Sequence, residues 1–196
     1  MSVVNLEVLV HKLDPESKGA LEAALSMAVS YQHRSVMLAH WMYHLLQCAS
    51  LKAVLFEVNA APGILKKQLL NIIEAMPSDV DQAPTISQLV IDASCEAWVI
   101  ASLEFNACEL NPVFILFALM EDPMLRQSLL AILPEVKRIE VSDYKRAIKK
   151  YRPSMEDNKR DVAENKSLVS LEMLSKFTED LTAKAREIGR ASCRER

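Results

Sequence analysis

The sequence predicts an all-α protein, and two observations carry that prediction. Apolar residues recur at helical spacing through most of the 196-residue chain, and no window shows the sustained strict alternation of a half-buried strand. Only three glycines occur, Gly19, Gly63 and Gly189, too few for the tight turns of an all-β fold. Helices joined by short polar or proline-containing links are therefore expected.

The stretch "VNLEVLVHKLDPESKGALEAAL", residues 4–25, contains the clearest helix start. Asp14 is a suitable N-cap, and Pro15 suits the first helical position after it. Apolar residues already repeat at helical spacing ahead of this cap, at Leu6, Leu9, Val10 and Leu13. An added short amphipathic helix is therefore predicted before the first long one.

Later boundaries follow from the same signals. Pro62, Pro112 and Pro123 each stand where a first helical turn would begin, and Ser50 or Asp122 is placed to cap the helix that follows. Together with the apolar spacing, they predict helices over residues 4–12, 15–31, 38–48, 51–58, 62–75, 85–104, 111–121 and 123–132.

A weak internal repeat relates the two halves of this helical region. A shift of 73 residues superimposes Trp41 on Phe114 and Leu46 on Leu119. The same shift brings two sets of alanines into register, Ala20, Ala24 and Ala28 with Ala93, Ala97 and Ala101. Because alanines every fourth residue allow helices to approach closely, two four-helix units sharing one core are predicted.

Composition limits the class of protein. The net charge of −3 and the pI of about 5.9 give the chain no bias toward nucleic acid or anionic lipid. The four cysteines form no CxxC pair, and the first ten residues lack the basic and apolar regions of a secretory signal. The longest apolar run, "VFILFALM", is too short to span a bilayer. We therefore expect a cytoplasmic protein that binds neither nucleic acid nor membrane.

The character of the chain changes after Pro134, where a basic stretch precedes a highly charged one, and residues 1–150 are predicted to form the helical domain. Residues 151–167 are highly charged and predict a solvated linker. Helical apolar spacing resumes over 168–189, and the last segment, 190–196, fits neither part. It is either a natural end or an appended tail.

Few residues offer catalytic or metal chemistry. His40 and His44 share one helix face, yet the glutamate of HExxH is missing and no third ligand lies nearby, so locally hydrogen-bonded histidines are favoured over a metal site. Cys95 has no basic neighbour in sequence to lower its pKa, although the fold could bring His11 or His33 close. The three glycines are too widely spaced for a Walker A loop, so no nucleotide site of that type is predicted. Together with the histidine and cysteine patterns, this leads us to predict neither catalytic residues nor a bound cofactor for this chain.

A basic cluster precedes the predicted linker. It contains Lys145, Arg146, Lys149, Lys150 and Arg152. Acidic residues follow at once, and only two tyrosines accompany it, so a solvated helix end is favoured over a phosphate-binding surface.

Residues 12–47, "KLDPESKGALEAALSMAVSYQHRSVMLAHWMYHLLQ", resemble the amino-terminal repeat domain of Clp/Hsp100 chaperones, and in particular its ClpV type from type VI secretion systems. "SQLVIDASCEAWVIASLEF" and "NPVFILFALMEDPMLRQSLLAI" look like the corresponding helices of the second repeat. The resemblance covers residues 4–140 and implies a double four-helix unit. Downstream, "LSKFTEDLTAKAREIG" is similar to the opening of an AAA+ module, whose nucleotide-binding core does not follow here. Either the chain is a piece of a longer ATPase or the gene is truncated.

The resemblance also implies a role for the added first helix. In ClpV-type domains this helix forms one wall of an apolar groove, which receives an amphipathic helix of the large sheath subunit (the VipB type). Carried onto this sequence, the first wall holds Leu6, Leu9, Val10 and Leu13, the floor Leu21 and Leu25, and the other wall Thr85, Ile86, Leu89 and Val90. Ordinary core packing is an equally good explanation for any one of these residues.

The expected function is recognition of this sheath peptide, so that a full-length parent ATPase can disassemble contracted sheath. That parent would be a hexamer using ATP and magnesium, whereas the present chain would be monomeric. Two alternatives remain: the amino domain of a general Hsp100 disaggregase or protease partner, which would bind unfolded segments or an adaptor, and a free-standing helical enzyme using Cys95 or the histidine pair.

Overall fold

A computed structural model describes residues 6–78 and 84–151, and these residues confirm the all-α prediction. The first half contains α1 (Leu6–Lys12), α2 (Pro15–Ser30), α3 (Leu38–Leu45), α4 (Ala49–Glu57) and α5 (Pro62–Glu74). The second contains α6 (Gln88–Phe105), α7 (Pro112–Glu121), α8 (Pro123–Ile132), a 3₁₀ turn (Pro134–Arg138) and α9, which is helical over 141–151. The predicted linker after Tyr151, the AAA+ fragment and the terminal tail lie outside the described residues. None of the described helices is long and apolar enough to cross a bilayer.

Side-chain caps start three of the helices. Asp14 caps α2, its Oδ1 accepting the Ser17 N–H at 2.7 Å, and Pro15 takes the first helical position as predicted. Asn111 caps α7 through the Val113 N–H, and Asp122 caps α8 through two backbone N–H groups. The prediction of Asp122 as a cap is thus confirmed.

The prediction of Ser50 as a cap is wrong, because α4 begins earlier, with Cys48 at the N-cap position. The α4 N-terminus is capped instead from α2. The Glu16 carboxylate accepts the Ala49 and Ser50 N–H groups at 3.2 and 3.3 Å and the Ser50 hydroxyl. Glu16 therefore joins the beginnings of two helices that are far apart in sequence.

Two short strands that the sequence analysis did not predict connect the halves. Strand β1 (Ser35–Val36) pairs in parallel with β2 (Thr85–Ile86). The predicted helix 85–104 is therefore wrong at its start, because residues 85 and 86 are extended and α6 begins at Gln88. A second link is the parallel bridge between Leu13 and Leu110, in which the Asp14 N–H donates to the Leu110 carbonyl at 3.0 Å.

These two links are related by the internal repeat. Pro15 and Gln88, the first residues of the two long helices, stand 73 positions apart, as the sequence repeat requires. In each link, the stretch before the long helix of one repeat pairs with the stretch before the next helix of the other. The repeats are therefore cross-connected at both long-helix starts.

Small and aromatic side chains share the core. All six alanines of the repeat are buried, so the long helices pack closely along those faces. Trp41, Phe105 and Phe117 are fully buried, with the two phenylalanine ring centroids 5.8 Å apart. Helix α9 contributes buried Tyr144, whose hydroxyl donates to the Val113 carbonyl at 3.1 Å. The predicted basic helix end thus carries an apolar face that completes the core.

Candidate functional site

Helix α1 is held against the second repeat. It packs on α6, with the Lys12 ammonium 4.8 Å from the centroid of the Trp98 ring, a cation–π contact. Its C-terminal end continues into the bridge between Leu13 and Leu110, where the Leu110 N–H donates to the Lys12 carbonyl at 2.6 Å. The two elements predicted to form opposite walls, α1 and the α6 region, are therefore neighbours.

The predicted wall residues of α1 differ in accessibility. Leu9 is buried, with 7% of its surface exposed, but it does not belong to the contiguous core cluster, whereas Leu13 does. Val10 is half-buried. Leu6 lies in the helix, and its side chain is outside the described part of the structure. Val10 therefore keeps accessible surface, while Leu9 and Leu13 pack the helix against the domain.

The residues of the predicted floor and of the opposite wall also differ in accessibility. Leu21 is half-buried against the core, and Leu25 is 41% exposed one turn later. Ile86 and Leu89 are half-buried, Thr85 is exposed and Val90 is buried in the core. Thr85 and Ile86 reach this region on β2 rather than on the predicted helix. The groove assignment itself stays a prediction.

Four exposed apolar residues on α1, on α2 and just beyond α2 were not predicted from the sequence. Val8 is exposed on α1, and Val29, Tyr31 and Met37 are exposed at and beyond the C-terminal end of α2. Val29 is four residues after Leu25 and shares its helix face, a signal that the sequence already contained. Val8 lies off the apolar stripe of α1, so helical periodicity alone could not identify it.

His33 and His40 form a buried hydrogen-bonded pair. His33 Nδ1 and His40 Nε2 are 2.8 Å apart, and the Met37 N–H donates to His40 Nδ1 at 3.1 Å. Because Nδ1 of His40 accepts that bond, its ring proton is on Nε2 and is donated to His33. Burial, and after it the neighbouring His33, lower the pKa of His40 to about 4. This confirms the prediction of a locally satisfied histidine for His40, near the start of α3, whereas the buried Nε2 of His44 has no hydrogen-bond partner among the described residues.

Metal binding by His40 and His44 has no support in the described residues. Within 6–78 and 84–151, no three His, Cys, Asp or Glu side chains come together as a ligand set. His40 directs Nε2 to His33, so this nitrogen is engaged within the protein.

The half-buried cysteines are in surroundings that disfavour a nucleophilic thiolate. Burial raises the pKa of Cys95, and the adjacent carboxylates of Asp92 and Glu96 raise it further. Burial also raises the pKa of Cys48 to about 11, with Glu16 as the next cause. Neither of these two surroundings lowers the thiol pKa, so neither favours a nucleophilic thiolate.

The basic cluster is largely paired within the domain. Lys145 Nζ lies 2.5 Å from Glu104 Oε2, and Lys150 Nζ lies 2.7 Å from Glu57 Oε2. Arg146 pairs with Asp143, one turn away, at 3.1 Å. These internal carboxylates reduce the positive potential that phosphate binding requires, in agreement with the solvated helix end favoured from the sequence.

Comparison with known proteins supplies the family context. No protein-family model matches the chain. The AAA+ ATPase ClpV1 of Pseudomonas aeruginosa is 22% identical over 204 aligned residues, which include 95% of this chain and 23% of ClpV1. The chain thus spans about a quarter of the length of the curated relative it matches.

Solved structures share the fold. A chain from work on the ATPase ClpV, the TssB–TssC sheath and the accessory HsiE protein superposes with a TM-score of 0.71 at 24% identity, covering 77% of this chain and 94% of that one. A complex of the ClpV N-domain with a VipB peptide gives a TM-score of 0.62 at 24% identity, covering 76% of this chain and 91% of that one. The chain therefore has the fold of ClpV amino-terminal domains, and the resemblance found in its sequence is confirmed.

Proposed function

We propose that this domain recognises a helical sheath peptide for a ClpV-like ATPase, so that contracted type VI secretion sheath is recruited for disassembly. The observation that carries the proposal is the match to ClpV N-domains, one of which was solved with a VipB peptide. Helix-in-groove recognition needs apolar anchors spaced by one helical turn on accessible surface. Leu21 and Leu25 have that spacing on α2, and half-buried Val10 and Leu89 offer accessible apolar surface on the predicted walls.

The proposal assigns this chain binding rather than catalysis. ATP and magnesium would serve the parent ATPase, and this domain would act without a cofactor, in the cytoplasm and as a monomer. Six tethered copies on a hexameric parent would raise the local concentration of sheath near the motor, so a modest affinity for each copy suffices.

The test is a titration followed by fluorescence anisotropy. A labelled amphipathic-helix peptide from a sheath large subunit is titrated with the wild-type chain and with Leu25→Asp. Because Leu25 is already 41% exposed, the substitution should leave folding intact by circular dichroism. Losing a buried leucine contact of about 2 kcal/mol corresponds to at least about thirtyfold weaker binding.

Leu103→Asp is the matched control. Leu103 is a leucine on α6 that is even more exposed than Leu25 and lies outside the predicted groove. Saturable binding lost in Leu25→Asp and kept in Leu103→Asp is the expected result. Equal affinities of the two folded variants for the sheath peptide would refute this groove. If unrelated unfolded segments bind the wild-type chain as well as the sheath peptide does, the general Hsp100 alternative would be favoured.

A further inference from the structure

The exposed apolar surface is concentrated just beyond the predicted floor. Among the ten large exposed hydrophobic residues in the described part of the chain, four lie between positions 25 and 37: Leu25, Val29, Tyr31 and Met37. Leu25 and Val29 are one turn apart on the same face of α2, and Val29 is 56% exposed. Val29 therefore continues the row of Leu21 and Leu25 for another turn along α2.

Backbone bonds fix the turn that follows α2. The Tyr31 N–H donates to the Met27 carbonyl at 3.0 Å, and the His33 N–H donates to the Ala28 carbonyl at 2.8 Å. Gln32 between them has a φ of 57°, the left-handed conformation that often ends a helix. Tyr31 is thus carried at a defined position two residues beyond Val29.

Buried imidazoles connect the two exposed side chains beyond the helix. The Tyr31 ring stacks on His33 with centroids 5.6 Å apart, and His33 is bonded to His40. His40 in turn accepts the Met37 N–H, and the Ser35 hydroxyl contacts the Met37 sulfur at 3.3 Å. Tyr31 and Met37 are therefore positioned by one chain of contacts, which reduces the ordering entropy lost when a ligand covers them.

We infer that Leu25, Val29, Tyr31 and Met37 form a distal extension of the peptide-binding surface. This inference rests on the proposed function, and the occupant is the next turns of the same amphipathic helix. From Leu21 to Val29 the floor runs about 12 Å along α2, the length of roughly two turns of a bound helix lying along it. Tyrosine and methionine suit this end because a rigid amphipathic ring and a flexible thioether accommodate varied apolar side chains.

The test compares a long labelled peptide, spanning all the apolar anchors of the sheath helix, with shortened peptides that lack the two turns expected over Tyr31 and Met37. Because either peptide orientation is open, shortened versions from both ends are made. Tyr31→Ser and Met37→Gln should each weaken the long peptide about three- to tenfold, since each removes roughly 1 kcal/mol of apolar contact. One of the shortened peptides should bind both variants as well as it binds wild type.

Met124→Gln on α8 is the control for Met37→Gln, because Met124 is also highly exposed and lies outside this surface. Unchanged affinity for the long peptide in both variants, with binding still lost in Leu25→Asp, would overturn the extension and keep the proposed function. Absence of binding by the wild-type chain would overturn both. Reduced self-association in Tyr31→Ser without reduced peptide affinity would assign the surface to a second copy and likewise overturn the extension.

Discussion

Acidification should destabilise this domain through the buried side chain of His40. Its ring is fully buried, and the bond that Nδ1 accepts from the Met37 N–H requires the neutral form. Protonating Nδ1 would direct a hydrogen at the Met37 N–H, so one hydrogen bond becomes a contact between two donors. Burial, the neighbouring His33 and the nearby His44 also favour the neutral ring.

The size and sign of the effect follow from the pKa. It falls from 6.5 in the unfolded chain to about 4 in the folded one, so the unfolded chain binds more protons between those values. The stabilisation is therefore present above pH 6.5 and is lost as the pH falls toward 4. A shift of this size corresponds to about 3 kcal/mol in total, of which about 2 kcal/mol is lost by pH 5.

The assay is urea unfolding of wild type and His40→Asn at pH 7.5 and pH 5. Other acidic transitions, such as that of buried Asp14, whose pKa burial raises, contribute to both proteins and cancel in the difference. Wild type should be the more stable protein at pH 7.5, and its advantage should shrink by about 2 kcal/mol at pH 5.

His11→Asn is the matched control, because His11 is exposed on α1, and it should follow the wild-type pH dependence. An advantage of wild type over His40→Asn that stays constant or grows on acidification would refute the reasoning from burial and hydrogen bonding.

Three further substitutions probe the links that hold the domain together, each measured by urea unfolding. Glu16→Ala removes the acceptor that caps α4 and should destabilise by about 1–2 kcal/mol, unlike Glu22→Ala on the exposed face of α2; equal effects would deny Glu16 a capping role. Ala97→Leu overfills a fully buried helix contact and should destabilise by about 1–3 kcal/mol, whereas exposed Ala75→Leu should not; a neutral Ala97→Leu would contradict close packing of that face. Tyr144→Phe leaves the buried Val113 carbonyl without its donor and should destabilise by about 1 kcal/mol, with Tyr31→Phe as the control; a more stable Tyr144→Phe protein would be inconsistent with that bond.

Local signals account for most of the helices that could be predicted. Two helix starts are marked by neighbouring residues, Asp14 with Pro15 and Asp122 with Pro123. In the structure, α2 and α8 begin at these prolines, each capped by the preceding aspartate. Features set by distant residues could not be predicted in this way. Glu16 caps a helix that starts more than thirty residues later, which displaced Ser50 from its expected role.

The two-residue strands illustrate the same limit. Thr85 and Ile86 are extended because they pair with Ser35 and Val36, about fifty residues away, and no periodicity can appear in two residues. At the candidate site, spacing identified the apolar elements but not their accessible members. Leu13 and Val90 fit the stripe and are core, whereas Val8 and Val29 lie outside the predicted set and are exposed.

The crossed pairing of the two repeats also suggests how such a domain could originate. Each repeat carries both halves of a pairing, one before its long helix and one before the next helix, and it offers each half to the other repeat. Two identical single repeats related by a two-fold axis could exchange the same contacts, as an isologous dimer. Fusion of such a dimer into one chain would then free each half to diverge, so that one could specialise in partner recognition while the pairing preserved the fold.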